Sequence, residues 1–193
     1  MSVGDALDAL LERFVSGYEA HHGTSPRQPF DPDWPSPCIE GTPDAGDWVH
    51  WRPIRRTTPP DFSGLETALG TTLHPDVTAF FGRYYCEVIP GRTSEGALQL
   101  IQIWSDADFD RLVENSLGHA LSKFRSKQPL SLFIATTDED EFFLAVDNET
   151  GRVMLERPGA PAIREIAPNL STLLNRIEPT FDDIHDAPEE DHQ

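Results

Sequence analysis

The sequence predicts an α+β fold: one domain in which a mostly antiparallel sheet packs against several helices. Two observations carry this prediction. Short apolar runs that suit buried strands lie at residues 97–104, 130–135, 142–146 and 152–155. Apolar residues at helical spacing mark helices near both ends of the chain and between the first two of these strands. Strands and helices that follow one another without strict alternation are typical of α+β domains.

The first predicted element is an amphipathic helix. Ser2 and Asp5 form an S-x-x-D capping box, and Gly23 is a natural stop at the other end. Residues 26–37 are rich in proline and predict an irregular connector. The apolar positions of the helix are Leu7, Leu10, Leu11, Phe14, Val15 and Tyr18.

A hairpin is predicted next, with strands at 38–40 and 47–52 around a turn at 43–46. Because side chains alternate along a strand, Val49 and Trp51 should share one face of the second strand. Trp48 and His50 should then share the other.

Two short helices follow a loop at 55–60. Ser63 and Glu66 match a capping box for the first helix, which Gly70 ends. Pro75 suits the first position of the second helix, because the N–H that proline lacks would have no partner there. This helix is predicted to run to about Gly82.

Residues 83–89 fit either a helix or a strand. We favour a strand, because the strand at 97–104 needs a neighbour and Pro90-Gly91 suits the start of a hairpin connection. Ser105 and Asp108 then form a capping box for a long amphipathic helix that Pro129 ends. Its predicted apolar stripe comprises Phe109, Leu112, Val113, Leu117, Ala120, Leu121 and Phe124.

The C-terminal part is predicted to finish the sheet and add one helix. Residues 147–151 read as a hairpin loop in which Gly151 supplies positive φ. A short strand at 163–166 and a helix over 170–177 follow. Residues 182–193 are polar and acidic, so we expect a domain over 1–181 and a disordered tail.

Composition excludes several classes of protein. A net charge of −18 argues against nucleic-acid binding, which needs a basic footprint. No apolar run approaches the ~18 residues of a membrane span, and the acidic, amphipathic start is unlike a signal peptide. We therefore expect a cytoplasmic protein. Because the overall charge equally fits a chain adapted to salty cytoplasm, only local clusters of acids count as evidence for a site.

The search for a catalytic or metal site returns no strong motif, and we predict no catalytic residue, no metal and no cofactor. Cys38 with His50 as nucleophile and base is a weak alternative, because the thiol lacks an activating group. Cys38 and Cys86 are expected to be buried thiols rather than a disulfide. His119 is expected on a solvated helix face.

Two clusters of carboxylates remain as candidate partner-binding residues. The helix acids are Asp106, Asp108, Asp110 and Glu114, and the loop acids are Asp138, Glu139, Asp140 and Glu141. The first turn of a helix favours carboxylates by itself, so part of the helix cluster has a structural explanation. If the strands at 97–104 and 130–135 were parallel neighbours, the two clusters would meet at one edge of the sheet. The sequence leaves that open.

Three segments resemble one known family. IQIWSDADFDRLVENSLGH at 101–119, WPSPCIE at 34–40 and LFIATTDEDEF at 132–142 resemble, in order, Syd, the SecY-interacting protein family. Ala107 stands where the family's W-S-x-x-D-F pattern is expected to carry an acid. The resemblance implies the SUKH-like architecture, which agrees with the predicted order of elements. It also implies a partner, the cytosolic loops of the SecY translocation channel.

We therefore predict a non-enzymatic binding protein whose acidic surface contacts SecY, in quality control or regulation of the translocon. Cytosolic channel loops are rich in Lys and Arg, so the charges are complementary. The protein would be held peripherally on the cytoplasmic side of the inner membrane, without lipid insertion, since anionic headgroups repel it. The alternative is a SUKH-type immunity protein that neutralises a basic toxin such as a nuclease. The oligomeric state is left open.

Overall fold

A computed structural model describes residues 1–43, 47–139 and 141–181 of the chain. These residues form five helices and twelve strands, and the predicted α+β class is confirmed. The helices are α1 (Val3–His22), α2 (Ser63–Leu69), α3 (Pro75–Phe81), α4 (Asp106–Arg125) and α5 (Leu170–Arg176). The strands are β1 (Arg27–Pro29), β2 (Ile39–Glu40), β3 (Trp48–Trp51), β4 (Ile54–Arg55), β5 (Tyr84–Tyr85), β6 (Ile89–Thr93), β7 (Gly96–Leu100), β8 (Ser131–Thr137), β9 (Phe143–Asp147), β10 (Val153–Glu156), β11 (Arg164–Ala167) and β12 (Glu178–Pro179).

The main sheet is antiparallel throughout. Its seven strands lie in the order β11-β10-β9-β8-β7-β6-β12, and every neighbouring pair is antiparallel. Two smaller sheets, β1-β3-β2 and β4-β5, lie outside it. One apolar core joins helices and sheet, with Leu10 of α1, Leu100 of β7 and Leu174 of α5 fully buried. Each such leucine contributes about 1.5–3 kcal/mol through removal from water.

One of the two capping boxes predicted for α1 and α2 is confirmed and the other is wrong. Ser2 and Asp5 form the predicted reciprocal box on α1, and Gly23 ends that helix in the left-handed conformation. The box on α2 is wrong. Ser63 is the first helical residue there, and its N–H donates to Asp61 Oδ1 at 2.8 Å. Glu66 accepts instead from the Leu73 N–H, so its carboxylate holds the chain that leaves the helix.

The strand beside β7 was misplaced by the sequence pattern. Pro90 and Gly91 lie inside β6 rather than in a turn, and the hairpin reverses at Ser94 and Glu95. Gly91 is needed there because a Cβ would come within 2.6 Å of the Ile177 side chain. The β5 strand within 83–89 pairs with β4, not with β7.

The predicted apolar stripe of the long helix α4 is confirmed in part: Leu112 and Ala120 are buried, and Phe109, Val113 and Leu117 pack against the core. The buried positions of α4 are Leu112, Ser116, Ala120 and Lys123. The predicted core residues Leu121 and Phe124 are each 46% exposed. The sequence pattern misses that a lysine and a serine occupy the buried face, where Lys123 pairs with Glu156 inside the fold.

The remaining predictions are largely confirmed. β2 and β3 pair as expected, with Val49 and Trp51 buried, although the connector also contributes β1. Residues 44–46 of the turn predicted at 43–46, and the expected disordered tail at 182–193, lie outside the described residues. Gly151 closes the β9–β10 turn at φ 71°. Over the described ranges, none of the helices has the length and apolar content that crossing a bilayer requires.

Candidate functional site: two separate acidic groups

The direction of β7 relative to β8 decides where the two predicted acidic clusters lie. The strands are antiparallel, with Leu98 opposite Thr137 and Leu100 opposite Ala135. The loop acids therefore follow β8 beside the start of β7, and the Asp138 carboxylate lies 3.7 Å from an ideal Cβ on Gly96. The helix α4 begins beyond the other end of β7. At about 3.3 Å per extended residue, the two clusters are separated by up to roughly 30 Å, and this pairing does not bring them together.

Two of the helix acids have structural partners. Asp106 Oδ1 accepts from the Tyr85 hydroxyl at 2.6 Å and pairs with the Arg56 guanidinium at 3.5 Å. The first of these hydrogen bonds, assisted by burial, raises the pKa of Tyr85. Asp108 receives the N–H of Trp104, while its own N–H donates to the Ser105 hydroxyl. The serine half of the predicted capping box is thus confirmed, while the Asp108 carboxylate accepts from the Trp104 N–H instead of that of Ser105.

The other two helix acids are exposed. No residue in the described ranges pairs with the carboxylates of Asp110 and Glu114. Positive charge nevertheless lies close to this end of α4, because Arg111 stacks over the Trp34 ring at 3.8 Å. Together with Arg56, it makes the charge around the helix acids mixed rather than purely negative.

The loop acids have a different environment. Asp138, Glu139 and Glu141 are exposed, and their carboxylates have no partner among the described residues, which exclude Asp140. The loop itself is held by the Thr137 hydroxyl, which lies within hydrogen-bond distance of the carbonyls of Glu139 and Phe142. Exposed carboxylates without a partner among the described residues are available to an external cation.

A concavity lies against the loop acids. Its cavity of about 150 Å³ has an apolar floor formed by Leu98, Leu144, Leu155 and Ile166. Three carboxylates line its rim: Glu95, Asp138 and Glu139. Arg164, also on the rim, pairs with Glu95 at 2.6 Å. We call this concavity, with its rim, the acidic groove. Sequence reasoning missed Glu95, whose only signal was its place next to Gly96 in a turn.

The cysteine environment opposes a thiol enzyme. Cys38 is 1% exposed, and burial raises the pKa of its thiol to about 11. The His50 ring, its suggested base, lies instead within hydrogen-bond distance of the Thr24 hydroxyl and the Ser25 carbonyl. Cys86 is also buried, which raises the pKa of its thiol well above the usual value. A nucleophilic thiolate is therefore disfavoured at both positions.

This environment predicts slow thiol chemistry in the folded protein. With an aromatic disulfide reagent at neutral pH, we expect both cysteines to react only on the timescale of unfolding, because reaction requires an exposed thiolate. The measurement is the release of the chromophore with and without denaturant. Rapid modification of Cys38 in the native state would reopen the thiol hypothesis.

A buried polar cluster lies under α4, and the sequence analysis missed it. Lys123 pairs with Glu156, whose carboxylate also accepts from the Ser131 hydroxyl at 3.1 Å. The His119 ring reaches the same hydroxyl at 3.2 Å and contacts the edges of the Phe133 and Phe143 rings. The expectation of a solvated His119 is therefore wrong. Burial, and secondarily Lys123, lowers the pKa of this histidine.

Known proteins match the chain over nearly its full length. A family model described as Syd protein (SUKH-2) matches residues 4–179. A "Protein Syd" of Pseudoalteromonas atlantica is 43% identical over 184 residues, which cover 94% of this chain and 98% of that protein. Those of Alteromonas mediterranea and Hahella chejuensis are 38% and 36% identical, over 90% and 91% of this chain and 96% and 93% of theirs. The chain belongs to the Syd family.

Proposed function

We propose that this protein is a non-enzymatic binding protein whose acidic groove receives a basic cytosolic loop of SecY. Membership of the Syd family supports the choice of partner, as the family resemblance implies it. The observation that carries the site is the rim of the acidic groove, where Asp138 and Glu139 lack internal partners beside an apolar floor. A loop rich in Lys and Arg, with one apolar side chain, is complementary to both features.

The loop acids are better candidates for this contact than the helix acids. Asp106 and Asp108 already hold Arg56 and the first turn of α4. If these two acids bound a partner, their internal hydrogen bonds would have to break. The loop acids would give up only their contacts with water. We therefore assign the contact to Asp138, Glu139 and Glu141, whereas Glu95 on the same rim is already paired with Arg164. Asp140 belongs to the same predicted set.

Such a contact would act mainly through long-range attraction. Exposed opposite charges raise the rate of encounter and the specificity more than the final affinity, and salt screens them over about 8–10 Å. The protein would then be held at the cytoplasmic side of the membrane through the channel. Its net charge of −18 disfavours direct contact with anionic lipid or nucleic acid.

The test is binding to SecY in nanodiscs, at low and high salt, for two variants that change net charge equally. Asp138→Lys/Glu139→Lys should weaken binding about tenfold or more at low salt, since it puts cations where the partner's cations dock. Glu12→Lys/Glu149→Lys adds the same four charges at exposed acids elsewhere and should weaken binding far less. If both variants lost affinity for SecY equally, general charge attraction alone would explain the binding. If the unaltered chain did not bind SecY at all, the proposal would be refuted.

A second candidate is neutralisation of a basic toxin, which the SUKH-2 description of the family model favours. The same acidic groove would serve, because a basic nuclease presents similar cations. Protection of cells against a co-encoded toxin, together with no association with SecY, would decide for this candidate.

A further inference from the structure

The outward face of α4 carries an apolar patch between charges of opposite sign. At roughly 100° per residue, six of its exposed positions lie within an arc of about 120°, on the opposite side from the buried Leu112 and Lys123. In chain order these exposed residues are Asp110, Glu114, Gly118, Leu121, Phe124 and Arg125. Leu121 and Phe124 are among the few large apolar side chains that are highly exposed, at 46% each. Acids thus precede the apolar patch and a base follows it.

Gly118 is unexplained by packing within one chain. A Cβ at this position would have no atom within 4 Å, so nothing in the fold requires the absence of a side chain. Its φ is not in the left-handed region either. Glycine inside a helix costs about 1 kcal/mol relative to alanine. What glycine does provide is close access to the helix backbone from outside.

We propose that this face of α4 packs, antiparallel and about a two-fold axis, against the same face of a second copy of the chain. In a two-fold contact each residue i faces a residue j, and j faces i in return. A register in which i and j sum to 239 places Leu121 of each copy over the bare backbone at Gly118 of the other. The same register places Glu114 opposite Arg125, twice. This one register therefore pairs the opposite charges and also covers the exposed glycine backbone.

This pairing is separate from the SecY contact, but it limits which acids remain accessible to SecY. It covers Glu114 and flanks Asp110, while the acidic groove, at the other end of β7, stays open. A single pair of helix faces is small beside the ~1,200–2,000 Å² of stable interfaces, so we expect a weak dimer that dissociates on dilution.

Sedimentation equilibrium of the full chain, from micromolar to millimolar concentration, tests the pairing without SecY. We expect the unaltered chain to pass from monomer to dimer over this range. Leu121→Asp should remain monomeric, because it buries two carboxylates at the axis. Ile163→Asp is the matched control, since Ile163 is an equally exposed apolar residue at 48%, and should dimerise normally. A monomer at every concentration, or equal effects of both variants, overturns the proposal.

A charge swap tests the register. Glu114→Arg and Arg125→Glu, made singly, each place two like-charged pairs across the axis and should weaken the dimer about tenfold. The double variant exchanges the signs and should recover most of the affinity. The two positions lie three turns apart in one chain, so rescue cannot come from within a monomer. Failure of the double variant to recover would overturn this register.

Discussion

Replacing Lys123 with methionine is expected to lower the free energy of unfolding by about 3–5 kcal/mol. The Lys123 and Glu156 side chains are 7% and 2% exposed, so the substitution leaves a carboxylate in the interior without its cation, beside the Ser131 hydroxyl and the His119 ring. Removing one partner of a buried ion pair lowers the free energy of unfolding by far more than the intact pair contributes to it. The remaining charge stays buried away from water and no longer has an opposite charge to stabilise it. The measurement is urea denaturation at neutral pH.

Two further variants separate this effect from simple loss of packing. Lys123→Met/Glu156→Leu removes both charges and should recover most of the lost stability, since an apolar pair of similar volume needs no solvation. Arg152→Met breaks an ion pair with Glu165 whose side chains are 59% and 40% exposed, and should cost no more than about 1 kcal/mol. If the double variant were as unstable as Lys123→Met, burial of an uncompensated charge would not be the cause.

Replacing Asp106 with asparagine is expected to cost about 0.5–1 kcal/mol of stability, because the Asp106 carboxylate is 82% exposed and solvent screens its pair with Arg56. The Arg56 side chain is 3% exposed and stacks over Tyr85, and its Nε and Nη2 atoms are buried without a hydrogen-bond partner in the described structure. Asp106 is the anion paired with this guanidinium. Asparagine keeps an oxygen for the Tyr85 hydroxyl but removes the charge, so the variant isolates the ion pair.

The matched control is Asp110→Asn, one turn along the same helix, where the carboxylate is exposed and unpaired among the described residues. It should change stability by no more than about 0.5 kcal/mol in the monomer. Thermal denaturation of both variants at low protein concentration makes the comparison. An Asp106→Asn variant as stable as the control would show that Arg56 does not need this carboxylate.

These two predictions concern residues whose roles the sequence pattern described only in part. Asp106 was predicted to bind a partner, and its place in the first turn of α4 already gave it a structural explanation. The sequence pattern assigns Lys123 no role, because an isolated lysine near the end of a helix is usually solvated. Its burial depends on Glu156, more than thirty residues later in the chain, and no local pattern links the two.

Local signals were reliable where local chemistry decides. The S-x-x-D box at Ser2 and the serine cap at Ser105 formed because the interacting groups are three residues apart, and Gly23 ended α1 because only a residue tolerant of positive φ fits there. The same reasoning failed at Ser63, where the helix began one residue earlier and the carboxylate of Glu66 was taken by a loop.

From residues 1–193 alone one obtains the α+β class, most helices and strands, and the family, because each rests on nearby residues or on ordered segments of sequence. The direction in which β8 runs beside β7 cannot be obtained that way, since it depends on contacts between residues more than thirty positions apart. That direction separates the loop acids from the helix acids and creates the acidic groove with Glu95. Hydrogen bonding between distant strands, not the run of carboxylates, therefore decides that the two predicted acidic clusters lie apart.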